Sequence, residues 1–193
     1  AKDADSKNVQ VLRALSDLYF AEEAWKKSED CLEKLVERLD RATDQEELCR
    51  SYYRLAYIAE KLGEDHTALK RYLERYELDA TYLPTLEGLA AALLREQRGG
   101  DAQQGFQTIL IQHKASLTDA EVVDLHFQIG ELSMKLDQLD RAKKSFQKAL
   151  ALDSEHASTL RASAELSERL EEWDDAYDFR ERLIRLLPGA STG

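Results

Sequence analysis

The side chains that most often perform acid–base or metal chemistry are few in this sequence and widely separated. The four histidines are His66, His113, His126 and His156. None of them belongs to an HExxH pattern, and no cysteine stands near one at metal-ligand spacing. Cys31 and Cys49 form no CxxC pair, so two free thiols are favoured over a disulfide. The sequence therefore predicts no metal site.

Motifs for nucleotide binding and acyl transfer are also absent from the sequence. It contains no GxGxxG, no GxxxxGK followed by Ser or Thr, and no GxSxG. Paired carboxylates do occur, at Glu171-Glu172 and Asp174-Asp175, but they stand at the start of a predicted helix. Carboxylates in that position complement the helix dipole and need no catalytic role. We predict that the chain is not an enzyme and binds no cofactor.

Molecular recognition is the chemistry that the remaining residues favour. One set of basic and aromatic side chains recurs at steps of three and four, which places the set on one side of a predicted helix. Its members are Arg50, Tyr53, Arg54, Tyr57 and Lys61. Tyr and Arg are enriched at binding hot spots, and Arg binds carboxylates through paired hydrogen bonds. The set indicates a ligand with acidic residues or a free C-terminal carboxylate, although packing alone would also explain Tyr53.

The composition limits the class of protein and of partner. The chain has 193 residues, of which 43% are hydrophobic and 34% charged, with two prolines and eight glycines. These values favour a folded, all-helical protein. The formal net charge of −11 argues against binding to nucleic acid or to an anionic membrane. The longest apolar stretch, LEGLAAALL at 86–94, is too short to span a bilayer, so membrane insertion is not expected.

A step of 34 residues organises the C-terminal half of the chain. At this step Leu139 corresponds to Trp173, and Ala142 corresponds to Ala176. Further counterparts of the DRA at 140–142 are GDA at 100–102, HTA at 66–68 and EEA at 22–24. A fixed step of this kind is typical of a stacked array, in which each repeat covers the apolar face of its neighbour.

These residues resemble the tetratricopeptide repeat, a helix–turn–helix element of 34 residues. In residues 123–156 the positions that match its pattern are Gly130, Ala142, Phe146 and Ala149. The resemblance implies an all-α, right-handed helical-repeat solenoid of five helix–turn–helix repeats, about ten helices, in a single domain over residues 1–193. The repeats are expected at 5–38, 49–82, 83–116, 123–156 and 157–190.

Two insertions, 39–48 and 117–122, interrupt the register of the repeats. Each insertion contains a capping-box pattern: TDQE at 43–46 and TDAE at 118–121. In such a box a threonine hydroxyl accepts a hydrogen bond from a free N–H, and the glutamate reaches back to the cap. We therefore expect the insertions to add turns to the helices that follow, at about 44–62 and about 119–136.

Glycines mark the predicted ends of two first helices. A left-handed residue at a helix end needs no Cβ, so Gly63 and the Gly99-Gly100 pair are expected to end the first helices of the second and third repeats. The first repeat has the weakest pattern. There Ala24 is assigned to the alanine position and Ser28 to the aromatic position.

The resemblance also implies a binding site, because first helices line a concave groove in this family. The set from Arg50 to Lys61 is then expected to face that groove. A second, apolar strip is expected from Ala91, Leu94, Phe127 and Met134, with Glu131 beside it. Met suits an adaptable binding surface, but it would serve equally as packing filler. The Lys and Asn pattern with which some members clamp a chaperone's carboxylate tail is absent.

Three functions remain compatible with the sequence. A non-enzymatic scaffold that binds a peptide or partner protein in its groove is favoured. The chain begins at Ala1 rather than Met, so a regulatory or assembly domain of a larger enzyme or complex is the alternative. A helical-repeat RNA binder is less favoured, because acidic residues line the expected groove. Those residues are Asp124, Glu131, Glu165 and Glu168.

The last predicted helix, about 173–187, is more apolar than one neighbour can cover. Its apolar residues are Trp173, Ala176, Phe179, Leu183, Ile184, Leu186 and Leu187. We expect this end to be covered by further chain or by a second copy, which would allow self-association. In the alternative, the stems of Arg180, Arg182 and Arg185 cover the patch and the chain stays monomeric.

Overall fold

The computed structural model describes residues 2–186, and side chains from Asn8 onward. Within this range the chain is entirely helical, with ten α-helices, one short 3-10 turn and no strand. The helices are α1 (Lys2–Ala21), α2 (Trp25–Val36), α3 (Gln45–Lys61), α4 (Asp65–Leu78), α5 (Leu83–Arg95), α6 (Gly99–His113), α7 (Asp119–Lys135), α8 (Leu139–Leu152), α9 (Ala157–Arg169) and α10 (Trp173–Arg185). The predicted all-α class and the ten helices are confirmed. Leu187 and Pro188 lie outside the described residues.

The helices are grouped in two compact units, one ending at Arg98 and the other beginning at Gly99. In the first unit, α1 packs on α2 and α3 packs on α4. Contacts between successive pairs join α2 to α3 and α4 to α5. In the second unit, α7 packs on α8 and α9 on α10, while α6 lies against α7. Helices α5 and α6, which the sequence assigns to one repeat, belong to different units. The single domain over the whole chain stays a prediction.

The same turn ends all five first helices. In each turn one residue adopts the left-handed conformation, two residues after the helix ends: Glu23, Gly63, Gln97, Asp137 and Glu171, with φ between 55° and 72°. The following N–H then donates to a carbonyl five residues earlier, over 2.8–2.9 Å in every case. This is the Schellman motif. The prediction that Gly63 ends a first helix is therefore confirmed. The same prediction for the Gly99-Gly100 pair is wrong, because Gln97 takes the left-handed position and Gly99 begins α6.

The spacing of these turns corrects the register of the first repeat. Glu23 precedes Gly63 by 40 residues, so the first insertion adds six residues to the period and not ten. The alanine position therefore belongs to Ser28 and the aromatic position to Leu32, both fully buried. The Ser28 hydroxyl donates to the carbonyl of Ser16 over 3.1 Å, which holds α1 and α2 close together. Because a serine occupies the alanine position of this repeat, the sequence pattern alone placed the repeat four residues too early.

Only one of the two predicted capping boxes forms. Before α7, the Thr118 hydroxyl accepts from the N–H of Glu121 over 3.3 Å, and the Glu121 carboxylate accepts from the N–H of Thr118 over 2.7 Å. The TDQE prediction is wrong, because Asp44 is the N-cap of α3 and makes no side-chain cap bond. Its carboxylate instead accepts from the N–H of Asp40 over 2.9 Å. Both following helices are nevertheless long, with 17 residues each, against 13 in α5 and α9.

Small residues let the paired helices approach, and one buried ring fills the space beside them. In the second unit Ala142 and Ala149 are fully buried, and Phe146 packs on the glycine at position 130. The core around this ring contains Met134, Ala142, Ala162 and Leu166. The first unit has its own core, which contains Leu32, Leu35, Leu55 and Ile58. Each core joins residues of consecutive repeats, as the stacked array requires.

Candidate partner-binding surfaces

Five side chains of α3 form a surface that we call the α3 face: Arg50, Tyr53, Arg54, Tyr57 and Lys61. Arg50 and Lys61 are exposed at its two ends, and the three residues between them are half-buried. The buried residues of the same helix lie at other positions, among them Leu55 and Ile58. The helical period alone explains this separation of a basic-aromatic side from an apolar side.

Tyr57 belongs to a cluster of three aromatic rings, which we call the ring cluster. Its ring lies 5.7 Å from that of Phe20 and 6.0 Å from that of Trp25, and the latter two are 5.5 Å apart. All three side chains are half-buried, so the cluster presents ring surface to solvent. The sequence analysis missed Phe20 and Trp25, because both lie at the helix junction of the first repeat, whose register was shifted.

Tyr53 has a packing role within the first unit. Its ring makes edge contacts with Tyr72 at 6.2 Å and with Tyr82 at 5.9 Å. Burial, together with neighbouring Tyr and Glu side chains, raises the pKa of Tyr53 above its usual range. The ring of Tyr72 is itself buried, and its hydroxyl donates to Glu60 over 3.0 Å. Of the two explanations for Tyr53, packing is the one that its contacts support.

The basic residues of the α3 face differ in how far their charge is compensated. Arg54 pairs with Asp17 and stacks over the ring of Phe20 at 5.0 Å. Among the described residues, Arg50 makes long contacts alone, 3.7 Å to Glu46 and 3.9 Å to Glu47. Lys61 lies over the ring of Tyr57 at 5.1 Å, and no described carboxylate pairs with it. The charges available to a ligand are therefore those at the two ends of the face.

The predicted apolar strip divides between the two units, which are described separately. Ala91 is half-buried and Leu94 exposed on α5, whereas Phe127 and Glu131 are half-buried on α7. Met134 is only 8% exposed and packs in the core of the second unit. Phe127 contacts the same core, with its ring 6.3 Å from that of Phe146. Met134 is thus packing filler, the second of the two roles that the sequence left open.

Comparison with known protein families finds a match inside the second unit. The model of the tetratricopeptide repeat matches residues 123–156, which begin inside α7 and run through α8 to His156. Residues 123–156 are thus similar to one tetratricopeptide repeat. No curated protein matches the chain in sequence.

Solved structures of MamA share the fold of this chain over nearly its whole length. A crystal structure of MamA superposes with a TM-score of 0.72 at 12% identity, covering 93% of this chain and 92% of MamA. MamA AMB-1 gives 0.74 at 15% identity, with coverage of 97% and 96%. MamA from Desulfovibrio magneticus RS-1, from residue 41 to its end, gives 0.66 at 16%, with coverage of 93% and 94%. These likenesses show a helical-repeat fold, and together with the repeat family they support a protein-interaction scaffold.

The groups that could carry out chemistry lie apart in the described part of the chain. Among its described residues, no three His, Cys, Asp or Glu side chains converge to hold a metal ion. Cys31 and Cys49 are free, and burial raises the pKa of both thiols, which makes them less reactive. No helix in the described range is long and apolar enough to cross a membrane.

Helix α10 exposes apolar side chains. Ala176 is its one described residue that is fully buried. Trp173, Tyr177 and Ile184, which we call the α10 face, lie on one side of the helix, and the most exposed of them, Tyr177, is 73% accessible. Of the three arginines expected to cover the apolar patch, Arg180 pairs with Glu168 and Arg185 with Glu181. The third, Arg182, stacks over Phe179 at 5.8 Å and leaves the α10 face uncovered.

Proposed function

We propose that the chain is a non-enzymatic scaffold that binds a protein partner on the α3 face. The observation that carries this proposal is the half-exposed ring cluster with Lys61 lying over Tyr57 and no described carboxylate in reach. Rings of this kind supply a large apolar contact at a low cost in conformational entropy. The basic end groups add orientation, because charges at the rim of an interface steer a partner of opposite sign.

The charges of the α3 face favour a partner with acidic residues or a free C-terminal carboxylate. Arg50 and Lys61 stand eleven residues apart on the same side of α3, which corresponds to about 16 Å along the helix. A partner that contacts both must therefore be extended or helical over several residues. Because both basic groups are exposed, the attraction is screened by salt, and binding is expected to weaken as the ionic strength rises.

The charge-reversed variant Arg50→Glu/Lys61→Glu tests this site. We expect it to capture the partner at least about tenfold less well than the wild-type chain does, because both compensating charges become repulsive. Affinity capture followed by quantitative mass spectrometry compares the two chains. The matched control is Lys34→Glu/Lys70→Glu, which changes the net charge equally through exposed lysines of α2 and α4. The proposal fails if both variants lose the same proteins, or if neither loses any.

Removal of Tyr53 and Arg54 is a weaker test of the same surface. Tyr53 packs on two other tyrosines, and Arg54 pairs with Asp17 across to α1. Their joint replacement by alanine therefore disturbs packing as well as recognition, and any loss of binding would have two causes. Charge reversal at Arg50 and Lys61 avoids this, since neither side chain is buried.

The α10 face favours a second copy of the chain as a further partner. The first turn of α10 is acidic, with Asp174 and Asp175, and its last turn is basic, with Arg182 and Arg185. Two α10 helices packed antiparallel would place each acidic turn beside a basic one and cover the apolar stripe between them. A symmetric pair of this kind is self-complementary, as a two-fold dimer requires.

Sedimentation across a concentration series tests this association. We expect the wild-type chain to dimerise, and Trp173→Glu/Ile184→Glu to remain monomeric, because two charges would enter the apolar stripe. The control Val11→Glu/Leu73→Glu adds the same charge at exposed apolar positions of α1 and α4 and should dimerise like the wild type. A wild-type chain that stays monomeric at the highest concentration would refute the association.

A further inference from the structure

A cleft of about 630 Å³ opens within the second unit. One wall is α6, the other is α8, and α7 forms the floor. The residues that line it are Gln107, Leu110, Ile111, Lys114, His126, Ile129, Arg141, Lys144, Ser145, Lys148, Ala151 and Leu152. We call this the lysine cleft. Its volume is in the range of sites that bind small ligands or anchor a few side chains of a partner.

The charge of the lysine cleft is opposite to that of the whole chain. Four of the lining residues are Lys or Arg and none is acidic, although the net charge of the chain is −11. Lys114, Lys144 and Lys148 form no side-chain hydrogen bond or ion pair with any described residue. Some lysines elsewhere are paired: Lys26 lies 2.8 Å from Glu64, and Lys143 lies 2.5 Å from Glu172. Others, such as Lys61, are not paired with any described carboxylate, but in the cleft three unpaired lysines line one cavity together.

Apolar side chains accompany these lysines. Ile111 on α6 is 82% exposed, and Leu152 on α8 is 50% exposed, although both line the cleft. Deeper in the cleft lie Leu110 and the buried Ile129. An occupant that covered these side chains would remove apolar area from water, which is the main source of binding free energy.

His126 lines the lysine cleft together with Lys114 and Lys148. The pKa of His126 is lowered by burial and, in addition, by the charges of Lys148 and Lys114. An anion placed between these lysines would offset their effect on the imidazole. The His126 ring is thus a natural spectroscopic reporter of an occupied cleft.

We propose that the lysine cleft binds an acidic peptide segment of a partner protein, with apolar side chains that pack between α6 and α8. The basic residues of α8 extend from Arg141 to Lys148, about two helical turns or 10 Å. One carboxylate cannot contact both ends, so several acidic groups at peptide spacing are required. The site is separate from the α3 face and goes beyond the function proposed for it.

A peptide suits the cleft better than a nucleic acid does. A phosphate backbone carries charge continuously, so it would extend beyond the four basic residues onto an acidic surface. A peptide can restrict its acidic residues to the part that lies in the cleft. Its leucine or phenylalanine side chains also match the apolar lining, which phosphates and sugars do not.

Differential selection from random peptides displayed on phage tests the proposal. The intact chain is the bait, and peptides that also bind Lys114→Ser/Lys144→Ser/Lys148→Ser are removed. We expect the remaining peptides to be enriched in Asp and Glu together with Leu, Ile or Phe. Their affinity should fall by about tenfold or more in the variant, since three attractive charges are removed. The His126 ring resonances should shift on binding to the wild-type chain.

The matched control is Lys34→Ser/Lys70→Ser/Lys135→Ser, which removes the same charge from exposed positions outside the cleft. It should bind the selected peptides as the wild type does, and circular dichroism should show all three chains equally folded. The proposal is overturned if no peptide distinguishes the wild type from the cleft variant, or if the selected peptides are not acidic. It is equally overturned if no acidic peptide binds in the cleft but an RNA oligonucleotide does, or laurate does as a probe for fatty acids. None of these outcomes bears on the α3 face.

Discussion

Replacement of Phe146 by alanine is expected to lower the free energy of unfolding by about 3–5 kcal/mol. The ring is 1% exposed and fills the centre of the second unit's core, where it contacts residues of α7 and α9. Its removal both loses buried apolar area and leaves a cavity, because the surrounding helices can close only partly. Position 146 therefore carries more of the stability of this unit than any exposed residue can.

Urea denaturation monitored by circular dichroism measures this loss. The control Phe179→Ala removes the same atoms from α10, where the ring is half-exposed, and should cost distinctly less. If the two variants had equal midpoints and slopes, Phe146 could not be the centre of the core. An altered slope in Phe146→Ala alone would indicate that the two units unfold separately.

Replacement of Gly130 by alanine is expected to destabilise the chain by about 1–3 kcal/mol, although alanine is the better helix former. A Cβ at this position would lie within 2.9 Å of three atoms of the Phe146 ring. The ring is buried and cannot move away without displacing its neighbours. The gain in helix propensity is about 1 kcal/mol at most, so the steric term decides the sign.

A matched substitution separates these two terms. A Cβ at Gly100, in the first turn of α6, would meet no atom within 4 Å. Gly100→Ala should therefore leave the chain equally stable or more stable, by up to about 1 kcal/mol. In the double variant Gly130→Ala/Phe146→Leu, the smaller side chain should recover part of the loss, so that the two substitutions are not additive. Equal stabilities of Gly130→Ala and Gly100→Ala would contradict the close contact.

The sequence by itself determined the fold class and the strongest repeat. Alanines at a fixed step and the small residues around Phe146 predicted helix pairs, and the helix pair α7 and α8 is the part that the repeat family matches. The same helical period identified the α3 face as one side of a helix. These predictions succeed because side chains three or four residues apart meet on a helix whatever lies around it.

Only the tertiary structure decided which residues occupy equivalent positions in the first repeat and which surfaces remain open. Ser28 can replace alanine there because its hydroxyl donates a hydrogen bond to the carbonyl of Ser16 on α1, twelve residues away in sequence. Gln97 takes the left-handed position that the sequence predicts for the glycine pair at 99–100, because the repeat length fixes where the turn must fall. The ring cluster and the lysine cleft each combine side chains from separate helices. Such sites depend on how helices pack, which is a property of contacts distant in sequence and leaves little trace in a local pattern.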